Sequence, residues 1–147
     1  MNAFDRLFSG MRIVSSGLSA ERKRIDVIAE NIANARTTKT LEGTPYRRKM
    51  VVFEPLLERA YGRGRSGAST VGGVQVPRVL EDHSSDFERI LEPGHPDADA
   101  NGMVAYPNVN TVMEMADLIT ALRAYEANIT AQENFVRIAE RTLQLIR

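Results

Sequence analysis

The sequence predicts an α+β fold in which long helices at the two ends of the chain pair as an antiparallel coiled coil around a small β-rich middle module. Three observations carry that prediction. Apolar residues recur every three and four positions through the first third of the chain. The same alternation returns in the last third. Between the two, the residues change to β-formers punctuated by glycine and proline.

In the first third the recurring positions are Phe4, Leu7, Met11, Val14, Leu18, Ile25, Ile28 and Ile32, with the single polar interruption Glu21. In the last third they are Met115, Leu118, Leu122, Tyr125, Ile129, Val136, Ala139, Leu143 and Ile146, interrupted at Gln132. Each run reads as a heptad seam. Each implies a helix of roughly 35 residues, about 50 Å long at ~1.5 Å per residue. Thr111-Val112-Met113-Glu114 has the capping-box form, with Thr111 positioned to accept from the Glu114 amide while the carboxylate reaches back. Pro107 just upstream favours extended chain. The organisation expected is therefore a helix over 1–35, a β-rich module over 36–107 and a second helix over 108–147.

Within the module, Tyr46 to Phe53 is rich in β-formers and reads as a strand ending at Pro55. Val74-Gln75-Val76 alternates before Pro77, and Gly102 to Tyr106 reads as a third strand. Residues 61–73 hold five glycines and are expected to form a flexible loop. Charge is zoned. Residues 36–65 carry eight basic and three acidic side chains, residues 78–99 two basic and seven acidic. The two zones face each other within one fold, or they form complementary faces of neighbouring molecules.

A helix closing one hairpin needs one apolar stripe. The C-terminal run has a second, one position earlier, at Ala121, Ala124, Ala131, Phe135, Ile138, Thr142 and Leu145, broken by Asn128. The N-terminal run has a companion row of Gly10, Gly17 and Ala20 with Ile13 among them. A mid-helix glycine costs about 1 kcal/mol relative to alanine, which close approach of another helix offsets. These extra bands are expected to be buried against other molecules. The competing reading is a larger core within one chain, with the middle module folded over the helices.

Composition excludes several classes. Nineteen basic and nineteen acidic residues give zero net charge, which disfavours nucleic-acid binding through phosphate neutralisation. The lack of cysteine removes disulfides and thiolate chemistry. No apolar run approaches the ~20 residues that span a bilayer, so no membrane insertion is expected. The opening Met1-Asn2-Ala3-Phe4-Asp5-Arg6 lacks the pattern of a cleaved signal peptide. His83 and His95 are the two histidines. His95 lies near Asp97 and Asp99, but alternating carboxylates more often solvate a turn than hold a metal. Gly62-Arg63-Gly64-Arg65 lacks the lysine of a phosphate loop. No serine, histidine and acid are arranged as nucleophile and base. No catalytic residue, cofactor, metal or small-molecule substrate is expected.

The segment Asn31-Ile32-Ala33-Asn34, closing the N-terminal helix, resembles the signature of flagellar rod and hook proteins. The resemblance extends through Thr44-Pro45-Tyr46-Arg47-Arg48-Lys49, Pro93-Gly94-His95-Pro96-Asp97-Ala98-Asp99-Ala100-Asn101-Gly102, Val104 to Asn110, and Arg123-Ala124-Tyr125-Glu126-Ala127-Asn128. It covers nearly the whole chain. Arg36 departs from the small polar residue usual at its position, and the glycine-rich 61–73 stretch resembles an expanded loop. The resemblance implies a structural, non-enzymatic rod subunit of the bacterial flagellar basal body. Its terminal helices would pack in a tubular polymer with copies of itself and other rod proteins. It also implies export through the flagellar type III apparatus and assembly in the periplasm. The second reading is a coiled-coil adaptor or export chaperone that binds such proteins without polymerising.

Overall fold

A computed structural model describes residues 3–59 and 69–145. Helix α1 spans Ala3–Ala33 and helix α2 spans Thr111–Leu145. Between them lie strands β1 (Lys49–Arg59), β2 (Ser69–Glu81), β3 (Glu88–Leu91) and β4 (Met103–Tyr106). Strands β1 and β2 hydrogen-bond as one two-stranded sheet, and β3 and β4 form another. In the second sheet the strands are antiparallel, with Glu88 opposite Tyr106 and Leu91 opposite Met103. The architecture is α+β.

The chain forms two compact units, each built from separated stretches. One comprises Met1–Lys23, Val52–Pro77 and Ala121–Arg147. The other comprises Arg24–Val51 and Arg78–Thr120.

In the first unit, α1 and α2 touch along small residues. A Cβ placed on Gly10 would stand 2.7 Å from the Phe135 ring, and one on Gly17 would stand 3.3 Å from Asn128 Oδ1. As α1 advances seven residues, α2 retreats by seven. Ala20 and Ala121 are buried in this unit. The glycine row expected to meet other molecules is therefore occupied by α2 of the same chain. On the α2 side these contacts fall on the second stripe, at Phe135 and at Asn128, which breaks it. Glycine holds these positions because a side chain there would collide with the Phe135 ring or press on the Asn128 amide. Replacing Gly10 with alanine should cost about 1–2 kcal/mol in urea unfolding: overpacking against the ring outweighs the ~1 kcal/mol gain in helix propensity. Combining it with Phe135→Leu should recover part of the loss, giving a coupling energy of about 1 kcal/mol in a double-mutant cycle. Simple additivity would mean the ring does not press on Gly10.

Strand β2 meets α1 in the same unit. Ser16 Oγ donates to the Ile13 carbonyl at 2.7 Å and accepts the Val74 amide at 3.1 Å. Gly73 has φ +140°, and a Cβ there would overlap the Ser16 hydroxyl. This part of the expected 61–73 loop is strand from Ser69 onward, and its glycine serves close packing rather than flexibility. Residues 61–68 of that stretch lie outside the described residues.

The strands differ from expectation at other points. The first begins at Lys49, not Tyr46, and continues past Pro55. The second continues past Pro77 to Glu81. Proline is admissible because each strand of a two-stranded sheet has an edge with no partner. Strand β3 escapes sequence reading because all four of its residues are exposed and show no alternation. Helix α2 is capped by Asn110 rather than Thr111. Asn110 Oδ1 accepts the amides of Val112 and Met113, each at 3.1 Å, and the Asn110 carbonyl takes the Glu114 amide at 2.9 Å. The Glu114 carboxylate is engaged elsewhere.

Candidate assembly surface and its polar anchor

Asn31 and Glu114 are each 1% exposed, and they organise the second unit. The Asn31 amide group donates to the Lys49 carbonyl at 2.9 Å and to Glu114 Oε2 at 3.0 Å. Its oxygen accepts the Lys49 amide and the Tyr46 hydroxyl, both at 2.9 Å. All four hydrogen-bonding valences of the side chain are used. One residue of α1 thereby binds both backbone groups at the start of β1, much as a neighbouring strand would. The other Glu114 oxygen receives Arg48 Nε at 2.6 Å. This charge-assisted pair offsets the cost of burying the carboxylate. Burial, with the charges of Glu30, Glu114 and Glu81 nearby, raises the Tyr46 pKa, so the hydroxyl stays protonated and available to donate.

Asn34 has a different task. Its side-chain amide donates to the Glu30 carbonyl at 2.9 Å, satisfying one of the last carbonyls of α1, and its oxygen accepts Thr37 Oγ1 at 3.2 Å. The two asparagines of Asn31-Ile32-Ala33-Asn34 are thus an anchor and a helix stop. Ile32 is half-buried between them and Ala33 is exposed.

Asn108 is a second anchor. Its oxygen takes the Arg48 amide at 2.9 Å, and its amide group donates to the carbonyls of Asp82 and Ser85. Arg47 grips the same two carbonyls and lies 4.3 Å over the Phe87 ring. These links join the basic stretch to the acidic one through backbone oxygens. The ion pairs of Arg48 and Lys49 run instead to Glu114 and Glu30 on the helices.

The carboxylates near His95 are taken up by hydrogen bonds within the fold. Asp97 accepts Thr38 Oγ1 at 2.8 Å, and Asp99 accepts the amides of Asn101 and Met103. The Met103 and Asn101 amides lower the Asp99 pKa. The Ser84 hydroxyl and amide, with Ser85, lower that of Asp82. Both groups therefore stabilise the fold fully above the ordinary carboxylate value near 3.8, and that contribution is lost as pH falls through their lower folded-state values. Urea midpoints should fall between about pH 5 and pH 2, and the pH slope should be shallower in an Asp82→Asn/Asp99→Asn variant. An unchanged slope would count against this assignment.

The predicted seam residues occupy different environments. On α1, Met11, Val14, Leu18, Ile25 and Ile32 are half-buried and Ile28 is buried. On α2, Leu118, Tyr125 and Ala139 are half-buried. Every seventh residue, however, is open to solvent: Met115 is 53% exposed, Leu122 42%, Ile129 38%, Val136 40% and Leu143 57%. The side chains of Phe4, Leu7 and Ile146 lie outside those described. Arg123 is exposed, and Asn128 rests against Gly17. Val112, Met113, Ile119 and Ile138 of α2 are exposed as well, so the row is part of a broader apolar face.

Two family models match the sequence. Residues 11–38 match the one described as flagella basal body rod protein, and residues 100–145 match the C-terminal part of flagellar basal body rod FlgEFG proteins. The chain is 43% identical over 133 residues to the flagellar basal-body rod protein FlgC of Borreliella burgdorferi, covering 84% of this chain and 87% of that one. It is 41% identical over 132 residues to FlgC of Bacillus subtilis, with the same coverage. It is 39% identical over 145 residues to FlgC of Salmonella typhimurium, covering 99% and 96%.

Proposed function

The chain belongs to the FlgC family of flagellar basal-body rod proteins, and from that premise we propose that its terminal helices, paired as an antiparallel coiled coil, build the proximal rod by packing against those of neighbouring subunits. It is a structural subunit of the basal-body rod. The single observation supporting this mode of assembly is the outward row of α2, apolar at every seventh position from Met115 to Leu143. Covering a row with that strict period requires another helix, because seven-residue spacing winds two helices about each other.

In this reading the subunit has no catalytic role and takes no small-molecule substrate. It leaves the cytoplasm through the flagellar type III apparatus and joins the rod in the periplasm. There it carries torque from the motor toward the hook. Torque is borne well by a joint in which helices interlock along their length and polar anchors hold the β segments to them. Basal bodies purified from cells carrying a labelled copy should contain the protein at the base of the rod by electron microscopy. A protein confined to the cytoplasm and missing from those particles would instead be an adaptor or export chaperone.

A further inference from the structure

In the first unit, Leu122, Ile129, Val136 and Leu143 stand outward at heptad spacing. Four residues after each of the first three comes a glutamate, at Glu126, Glu133 and Glu140, and all three are exposed. In a helix, i and i+4 lie on one face, so the glutamates form a single acidic rim along one side of the apolar row. Glu133 has a nearby cation, Arg137 Nη2 at 3.8 Å, but both side chains are more than 60% exposed and such a pair is weak. Arg123 and Arg141 stand farther round the helix, beyond the rim. A shallow depression on the surface of α2 is bordered by Ile129, Val136, Gln132, Glu133, Arg137 and Glu140. Two carboxylates and one guanidinium stand on its border.

Building on the assembly reading above, we infer that this face receives an amphipathic helix whose apolar heptad is flanked by lysine or arginine, and that it rejects a second α2. In a two-helix seam the residues flanking the core positions meet their counterparts, and their charges decide which partners are accepted. Two copies of α2 placed antiparallel would set acidic rim against acidic rim. A helix with basic flanks meets the rim favourably and fills the same apolar row. The contact is thus heterologous. The rim disfavours closure of this face into an antiparallel dimer of α2.

The test uses the full chain and two synthetic helical peptides with the same leucine and isoleucine seam, one flanked by lysine and the other by glutamate. At low salt, fluorescence anisotropy should show the lysine peptide binding about tenfold more tightly. A Glu126→Lys/Glu133→Lys/Glu140→Lys variant should reverse the order, and Leu122→Asp should weaken both peptides. Equal binding of the two peptides to the natural chain overturns the inference, whether or not the triple variant folds. So does a dimer of the natural chain, seen by light scattering, that Leu122→Asp dissolves. If Leu122→Asp blocks rod incorporation while the peptides bind alike, only the charge selectivity fails. If it leaves incorporation intact, the assembly reading fails with it.

Discussion

Asn31→Ala should destabilise the protein by about 3–5 kcal/mol, the largest effect expected of any truncation to alanine in the second unit. The side chain is not merely buried. Removing it strands the Tyr46 hydroxyl, the Lys49 amide, the Lys49 carbonyl and one oxygen of Glu114. Glu114 would retain Arg48 but lose its only other partner among the described contacts. A loss of this size takes a large fraction of the ~5–15 kcal/mol that holds a typical domain together. Asn31→Asp should be at least as harmful, because it sets a second carboxylate against Glu114 in a site with little water. Asn34→Ala, which removes a helix-end contact at the surface, should cost only about 1 kcal/mol. Urea unfolding of the three variants provides the comparison. An Asn31→Ala variant within ~1 kcal/mol of the natural protein would show that the network contributes little.

The second large effect concerns assembly rather than folding. Leu122→Asp and Ile129→Asp should each reduce incorporation into rods by more than about a hundredfold. Each removes an apolar side chain whose burial contributes ~1.5–3 kcal/mol and places a charge at a covered interface. Because both side chains are already about two-fifths exposed in the single chain, its own unfolding midpoint should move little. The pair of readouts separates the two roles of α2. A variant that folds normally but cannot build rods locates the defect at the outward row. A variant that unfolds would mean the row stabilises the chain itself, and normal motility would contradict the proposed interface.

The helices were legible because two long apolar periods survive single substitutions such as Glu21 and Gln132. Which side of α2 faces inward was harder to read. Hydrophobicity favours the leucine, isoleucine and valine row, yet the contacts with α1 fall on the row one position earlier, where Phe135 meets Gly10 and Asn128 meets Gly17. The competition is between burying the most apolar row and seating side chains such as Phe135 over the glycines of α1, and composition alone does not arbitrate it. The polar anchor was legible only as a family resemblance at Asn31 and Asn34. Its physical content lies in partners 15, 18 and 83 residues away along the chain. No local pattern links those positions, and Glu114 in particular fits a capping box that it does not make. Asn108 was missed for the same reason. A residue named in a motif stretch became an anchor only when the carbonyls of Asp82 and Ser85 were seen beside it.

The prolines within β1 and β2 have a consequence for a protein that polymerises. Narrow two-stranded ribbons expose rims of unused amides and carbonyls, which are templates for sideways accretion and fibril growth. Pro55 and Pro77 each delete an amide from their strand and so interrupt the regular spacing on which such stacking depends. A filament subunit crowded among its own copies is protected in this way from a second, uncontrolled mode of self-association.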